Sequence, residues 1–385
     1  MRFFYRIPGH IWFLIPALLC FSPSAMARPK PGDPVRIAIA GLNHDHAAFF
    51  FGKKSRPGIE LVGIYETNPV LIHRYEERYQ LPGNLFYSNL DRMLDAVKPD
   101  AVVAFCSTYA HLSVVRACAP RGIHVMVEKP LSTTLSQALE MKRLADRYRI
   151  FLLTDFETAW YPSTEKAFRL VLDSGYVGTI RKVIFHDGHQ GPVAIHVSPE
   201  FLAWLTDPVK NGGGALTDFG CYGANLMDYL MQGEKPLSVT AVTRHFQPRV
   251  YPRVDDEATI LVSYPSAQCL IEASWNWPFG RKDMEIYGDK GYVKTLDNTD
   301  LREKNVESAP ETDRQIGAAE VQVIQDPFVY FAGVVRKEIK MPPYGQYSLE
   351  NNIEVARILD AARQSAATGR TVSLAPVSGP GDPRP

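Results

Sequence analysis

From Val35 to Asp155, short apolar runs alternate with amphipathic stretches. The runs VRIAIA, IELVGIY, AVVAF, IHVMV and IFLLT are nearly continuous in their apolarity, so they predict strands covered on both faces. A shorter strand falls near LFY. Between them, NPVLIHRYEERY and SQALEMKRLADRY carry apolar residues at helical spacing, and Thr134 with Gln137 opens the second as a capping box. Strands that alternate with helices predict an α/β arrangement, a Rossmann-like parallel sheet over residues 35–155.

Beyond Asp155 the pattern changes. A helix is expected around residues 164–174, then a strand TIRKVIFHD, and then a glycine-rich entry into the helix GCYGANLMDYLM. The runs LSVTAVTR, EATILVSY, QCLIEASW, DMEIYG and GYVKTL follow without helices between them, which predicts an open, mainly antiparallel sheet. A last helix over about 347–368 ends at Gly369, a residue suited to a C-terminal cap. Residues 156–374 therefore read as a second, α+β domain. The proline- and glycine-rich tail, 375–385, reads as disordered.

The first 27 residues read differently from everything after them. Arg2 and Arg6 precede an apolar run from Ile11 to Phe21 and small residues at Ala25 and Ala27, the pattern of a secretory signal cleaved after Ala27. The run is shorter than the roughly 20 residues of a membrane span, and prolines interrupt it, so no lasting membrane anchor is expected. Leu19 is a poor neighbour for a lipidated Cys20, and no adjacent arginine pair marks the twin-arginine route. The expected location is periplasmic or extracellular. The full chain balances 42 basic against 42 acidic residues, and removal of the signal leaves a slight acidic excess. Nucleic acid is excluded as a partner on that ground. Cys106, Cys118, Cys221 and Cys269 lack a C-x-x-C pair and read as free thiols, although the compartment would permit one bridge.

The first strand runs into GLNHDH. Gly41 supplies a tight turn, and a helix opening there would aim unpaired N–H groups at a pyrophosphate. Asn43 and His46 stand where further glycines normally leave room. Glu66 ends the second strand about 25 residues beyond Gly41, where an acid accepts ribose hydroxyls and repels a 2′-phosphate, so NAD is favoured over NADP. His44 and His46 could instead suggest a metal. At a helix start, however, they would point in different directions, and no recognised zinc spacing involves them or His186, His189 and His196, so no metal site is expected.

PDAVVAFCSTYAHLSVVRAC and RGIHVMVEKPLSTT together resemble the glucose-fructose oxidoreductase, inositol dehydrogenase and rhizopine-catabolism (Gfo/Idh/MocA) family. The matching positions are Thr108, His111, Glu128, Lys129 and Pro130. GGGALTDFGCYGANLMDYL resembles the family's second-domain helix entry and supplies Asp218, Gly220 and Tyr222. The resemblance implies cofactor contacts from Gly41, Asn43, His44, His46, Glu66, Thr108, His111, Glu128 and Lys129. It also implies catalysis by Lys129, Asp218 and Tyr222, and a homodimer or homotetramer. A tyrosine is a poor base at neutral pH unless a cation stabilises its phenolate, and Lys129 is the expected cation. Trp160, Tyr161, His186, His189 and His196 are the residues expected against a sugar.

An exported enzyme has no obvious pool of free cofactor. The implied activity is thus NAD(P)-dependent oxidation of a sugar or glycoside CH–OH, including formation of a 3-keto sugar, with the cofactor retained and recycled. A redox-neutral NAD-dependent glycosidase is the alternative. It needs one more base, expected among His186, His189 and His196. A non-catalytic sugar- or nucleotide-binding protein is a third reading.

Overall fold

The computed structural model describes residues 33–374. The expected signal, 1–27, and the expected tail, 375–385, lie outside the described residues. Six strands form the first sheet: β1 (Val35–Ala40), β2 (Ile59–Tyr65), β3 (Phe86–Tyr87), β4 (Ala101–Ala104), β5 (His124–Glu128) and β6 (Leu152–Asp155). They pair in parallel in the order β3-β2-β1-β4-β5-β6. The order reverses between β1 and β4, which opens a crevice at the C-terminal strand ends where ligands of such sheets bind.

Both faces of this sheet are covered, as its apolar runs require, and every residue of β4 is buried. One cover comes from far along the chain. Helix Pro327–Val335, PFVYFAGVV, packs on the first sheet with Phe328 edge-on to Phe50 (5.0 Å) and Phe105 (6.0 Å). It fills space that the helix after β1, only five residues long at Ala47–Phe51, leaves open. The division expected near residue 155 therefore separates the two sheets but not their cores.

The second sheet has nine strands: β7 (Ile180–Gly188), β8 (Ser238–Arg244), β9 (Glu257–Ser263), β10 (Gln268–Ser274), β11 (Arg281–Gly288), β12 (Tyr292–Thr295), β13 (Asp300–Lys304), β14 (Thr312–Gln315) and β15 (Val372–Ser373). Their order is β14-β13-β12-β11-β7-β10-β9-β8-β15. All neighbours are antiparallel except β7 and β10. That parallel pair arises because the helical crossover after β7 leads to β8, from which the chain returns through antiparallel β9 to β10 beside β7. β13 and β14 are not legible as strands, since their residues do not alternate apolar with polar. Cross-strand ion pairs join them, Arg302 to Asp313 (2.6 Å) and Arg314 to Glu303 (2.7 Å).

The long final helix, Leu349–Thr368, is capped as expected: Ser348 accepts the Asn351 N–H, and Gly369 closes the end at φ +67°. It serves both cores, with Leu349, Ile353 and Ala356 in the first and Ile358, Leu359 and Ala362 in the second. Asn351 and Asn225 lock it to helix Gly220–Leu230: Asn225 donates to Asn351 Oδ1 (2.7 Å), and Asn351 donates to the Asn225 carbonyl (2.9 Å). Two local expectations are modified. The helix expected over 164–174 is α-helical at Pro162–Phe168 and continues as a π-helical turn at Arg169–Asp173. Thr134 caps the Gln137 N–H (3.3 Å), but the Gln137 side chain accepts from Thr133 instead of closing the box on Thr134. All four cysteines among the described residues are free thiols.

Candidate active site

Gly41 turns the chain at φ +87°, and a Cβ there would lie 3.0 Å from Cys106 Cβ and 3.1 Å from the Phe105 carbonyl oxygen. Only glycine suits both conditions. The turn that follows does not open a helix at once, contrary to expectation. Its amides are used internally: Leu42 N–H donates to Glu66 Oε2 (2.8 Å), His44 N–H to the Phe105 carbonyl (3.1 Å), and His46 N–H to His44 Nδ1 (3.1 Å). Helix Ala47–Phe51 begins only afterwards. Asn43, His44 and Asp45 thus replace the helix N-terminus as the polar surface of the turn. Glu66 is buried and also accepts from Thr67 N–H (2.7 Å) and Asn68 N–H (2.8 Å), which holds its carboxylate at the tip of β2.

His44 and His46 do not diverge. Their ring centroids lie 4.5 Å apart, and both face Glu128: His46 Nδ1 is 3.1 Å from Oε1 and His44 Nε2 is 4.0 Å from Oε2. The three residues offer ligand atoms within 4.8 Å of one another. His44 Nδ1, however, accepts the His46 N–H. A neutral imidazole that binds an ion through Nε2 must be protonated at Nδ1, so the arrangement suits a hydrogen-bonded set better than a metal centre. Phe201 and Trp204 hold the His44 ring at 4.3 and 5.5 Å, and Trp204 Nε1 donates to the Asn43 carbonyl (2.9 Å).

Lys129 and Asp218 meet as expected. Lys129 Nζ lies 2.6 Å from Asp218 Oδ1 and also donates to the Asp218 carbonyl (3.0 Å), both side chains being buried. Burial alone would drive the ammonium towards neutrality, but the adjacent Asp218 reverses this and raises the lysine above its usual range. Burial would likewise raise Asp218, yet the Lys129 charge holds it below the usual carboxylate range. Trp275, which carries no local motif, completes the arrangement: its Nε1 donates to Asp218 Oδ2 at 3.0 Å inside the core. Trp275→Phe removes this donor together with one of the two fused rings that fill the core there. The lost hydrogen bond alone is expected to cost about 1.5–3 kcal/mol, because the acceptor is charged, measurable as a lower urea midpoint.

Tyr222 has Lys129 beside it, as expected, and Lys282 as well. Lys129 and Lys282 place their ammonium groups 5.0 and 4.9 Å from the centroid of its ring, against the π-face. Burial, followed by the nearby Glu157 carboxylate, pushes its hydroxyl well above the ordinary tyrosine range. Tyr222 therefore presents a protonated hydroxyl. Lys282 donates to Glu157, and Tyr161 donates to the same carboxylate (2.6 Å). Burial would raise Glu157, but the Lys282 charge holds it at about 2. Neither Glu157 nor Lys282 stands out in the sequence.

A cavity of about 260 Å³ joins these groups, bordered by His44, His46, Lys129, His189, Asp218 and Tyr222 among others. The remaining expected residues are distributed differently. Thr108 donates to Asn211 (3.3 Å), and buried His111 faces the Leu131 carbonyl (3.1 Å), and neither borders the cavity; burial lowers His111 to about 4. Trp160 donates to Asp155 (3.1 Å), the residue opposite Glu128 in the β5–β6 pairing, and does not border the cavity. His186 faces Glu272 (2.7 Å) and Glu285 (3.4 Å) on the other side of the second sheet and is not a cavity residue. His196 borders a second cavity, of about 320 Å³, with Leu42, Arg74 and Ser198. His189 alone of the three reaches the active cavity. Its Nδ1 accepts the Gly191 N–H (2.8 Å), so its neutral ring presents N–H and no basic lone pair.

The dinucleotide expected of this crevice can be tested against the residues present. Asp45 borders both cavities, and Asn43 Oδ1 is buried in the turn without a hydrogen-bond partner among the described residues. A ligand that spans both cavities would thus pass Asp45, held at the turn by side chains instead of by a helix terminus.

Comparison with known proteins accords with this architecture. Residues 35–156 match the model of the oxidoreductase family with an NAD-binding Rossmann fold, and residues 166–294 match the GFO/IDH/MocA C-terminal domain. The trans-1,2-dihydrobenzene-1,2-diol dehydrogenase of Bos taurus is 30% identical over 209 residues, covering 52% of this chain and 57% of that protein. The chain thus spans little more than half the length of such relatives. The D-xylose 1-dehydrogenase [NADP(+)] of Haloarcula marismortui is 21% identical over 86% of this chain and 91% of its own. Among solved structures, the aldose-aldose oxidoreductase from Caulobacter crescentus superposes with a TM-score of 0.72 at 22% identity, over 89% of this chain and 100% of that one. An inositol dehydrogenase homolog from Azotobacter vinelandii, complexed with NAD+, gives 0.74 at 17% identity, over 89% and 97%. Both halves of one architecture are matched in order, and the chain belongs to the Gfo/Idh/MocA oxidoreductase family.

Proposed function

We propose that this chain oxidises a CH–OH group of a sugar or glycoside with a nicotinamide dinucleotide that stays bound and is recycled. The observation that carries this reading is the buried Lys129–Asp218 pair beside Tyr222, at the strand ends of a Rossmann crevice. When bound, the nicotinamide supplies the hydride acceptor. Lys129, kept as an ammonium, donates to the substrate oxygen and stabilises negative charge as it develops there. The Tyr222 hydroxyl adds a neutral donor, and the Asp218 carboxylate orients Lys129. Glu66 and Asn43 would hold the dinucleotide, and the Glu66 carboxylate favours NAD over NADP by repelling a 2′-phosphate. The N-terminal pattern supports export, which in turn favours a retained cofactor.

Protein purified from its native compartment is expected to release about one nicotinamide per chain on denaturation, read by absorbance of the extract. A value near zero would remove the retained-cofactor reading. Tyr222→Phe should keep the cofactor and slow oxidation across a panel of aldoses and aryl glycosides by about 10²-fold. Unchanged turnover would exclude Tyr222 from the chemistry.

A further inference from the structure

Oxidation of an alcohol needs a proton acceptor, and nearly every titratable group of the cavity is already committed. Lys129 carries its proton, Tyr222 keeps its own, and Lys282 is engaged by Glu157. Asp218 spends Oδ1 on Lys129 and Oδ2 on Trp275, and Asp45 Oδ2 accepts the Ser198 N–H (2.8 Å). His44 and His189 each accept a backbone N–H at Nδ1, at 3.1 and 2.8 Å, so in the neutral ring the proton sits on Nε2.

His46 is arranged in the opposite sense. Its Nδ1 faces Glu128 Oε1 at 3.1 Å and can make that bond only as a donor. The lone pair of the neutral ring is therefore on Nε2, for which no partner is found among the described residues and which is not among the buried unpaired atoms. Glu128 is fixed in turn, because it ends β5 and is 3% exposed. The His46 ring is held between His44 (4.5 Å) and Phe49 (4.9 Å). A carboxylate that fixes an imidazole tautomer and stabilises the imidazolium is the arrangement used for general bases.

On the function proposed above, we infer that His46 is the general base and Glu128 its orienting partner. The alcohol O–H bond breaks, and its proton passes to His46 Nε2. The C–H bond breaks as hydride leaves for the oxidised nicotinamide, and the C–O bond becomes a carbonyl. In the return half-cycle the imidazolium gives the proton back. His46, in a position where a nucleotide turn would carry glycine, thereby acquires a chemical task.

Two measurements test this. In uniformly ¹⁵N-labelled protein, two-bond ¹H–¹⁵N imidazole spectra are expected to show His46 as the Nδ1–H tautomer, and Glu128→Ala should abolish that preference. An Nε2–H tautomer in the parent protein overturns the inference without reference to activity. In His46→Ala, oxidation of an aldose panel by the nicotinamide-loaded protein should fall about 10²–10⁴-fold with cofactor retained, and added imidazole should restore at least about tenfold. Turnover within about threefold of the parent would overturn the assignment. If the purified protein carries no nicotinamide, the functional reading fails on that result, whereas the tautomer spectrum still decides the His46–Glu128 pair.

Discussion

Asp218→Asn is expected to lower the unfolding free energy by about 3–5 kcal/mol, because it leaves the Lys129 ammonium buried without its counter-charge. The asparagine has nearly the same shape and can still accept from Trp275, so packing changes little and the loss is mainly electrostatic. Part of the cost is relieved if Lys129 sheds its proton, which would appear as a fall in its ionisation measured by NMR. Lys129→Met in the Asp218→Asn background should recover much of the loss, since it removes the unpaired charge. Equal instability in the single and double variants would show that packing, and not charge, dominates.

The pH dependence follows from the two directions of shift. Asp218 lies below its unfolded value, so its contribution is complete above about pH 4 and is lost as pH falls through the folded value. Lys129 lies above its unfolded value, so its contribution is complete below about pH 10 and is lost as pH rises through the folded value. The difference between parent and Asp218→Asn in urea unfolding should therefore be flat from about pH 4 to 10 and shrink outside that window.

Gly214→Ala is expected to cost about 3 kcal/mol or more, for a steric reason. A Cβ at this position would sit 1.8 Å from the Asp255 carbonyl oxygen and 2.8 Å from its carbon, both backbone atoms that cannot rotate away. Asp255 is also the anchor of the loop: its carboxylate accepts from Gly214 N–H (2.9 Å) and Leu216 N–H (2.7 Å), and its carbonyl from Ala215 N–H (3.0 Å). Displacing it loosens the start of helix Ala215–Asp218, and with it the position of Asp218. Both the urea midpoint and substrate turnover should fall. A midpoint shift equivalent to less than about 1 kcal/mol would mean that the loop relaxes without moving Asp255.

Much of this architecture is legible in one dimension. The apolar runs of β1, β2, β4, β5 and β6 are continuous because crossover helices cover both faces, and the long final helix carries its own caps at Ser348 and Gly369. The GGG run before Asp218 is visible as well, and close approach of Asp255 explains why Gly214 must lack a side chain. Less legible are contacts between residues far apart in the chain. Pro327–Val335 covers the first sheet although it lies far beyond that sheet's last strand, Leu152–Asp155. Trp275, just after β10, and Lys282, in β11, reach the site from interior strands of the second sheet, and the ion-paired strands β13 and β14 lack an apolar alternation.

The same division applies to the turn at Gly41. Sequence alone determined the tight turn, the acid at Glu66, the Glu128-Lys129 pair of residues and the presence of two histidines, because residue type and spacing along one strand set these. Only the tertiary structure decided what the histidines do. Imidazole direction and tautomer depend on partners brought by other elements: Glu128 from β5, the Phe105 carbonyl after β4, and Phe201 and Trp204 from the second domain. A side chain's protonation is set by its three-dimensional field, and that field is assembled only when the two sheets close over the crevice.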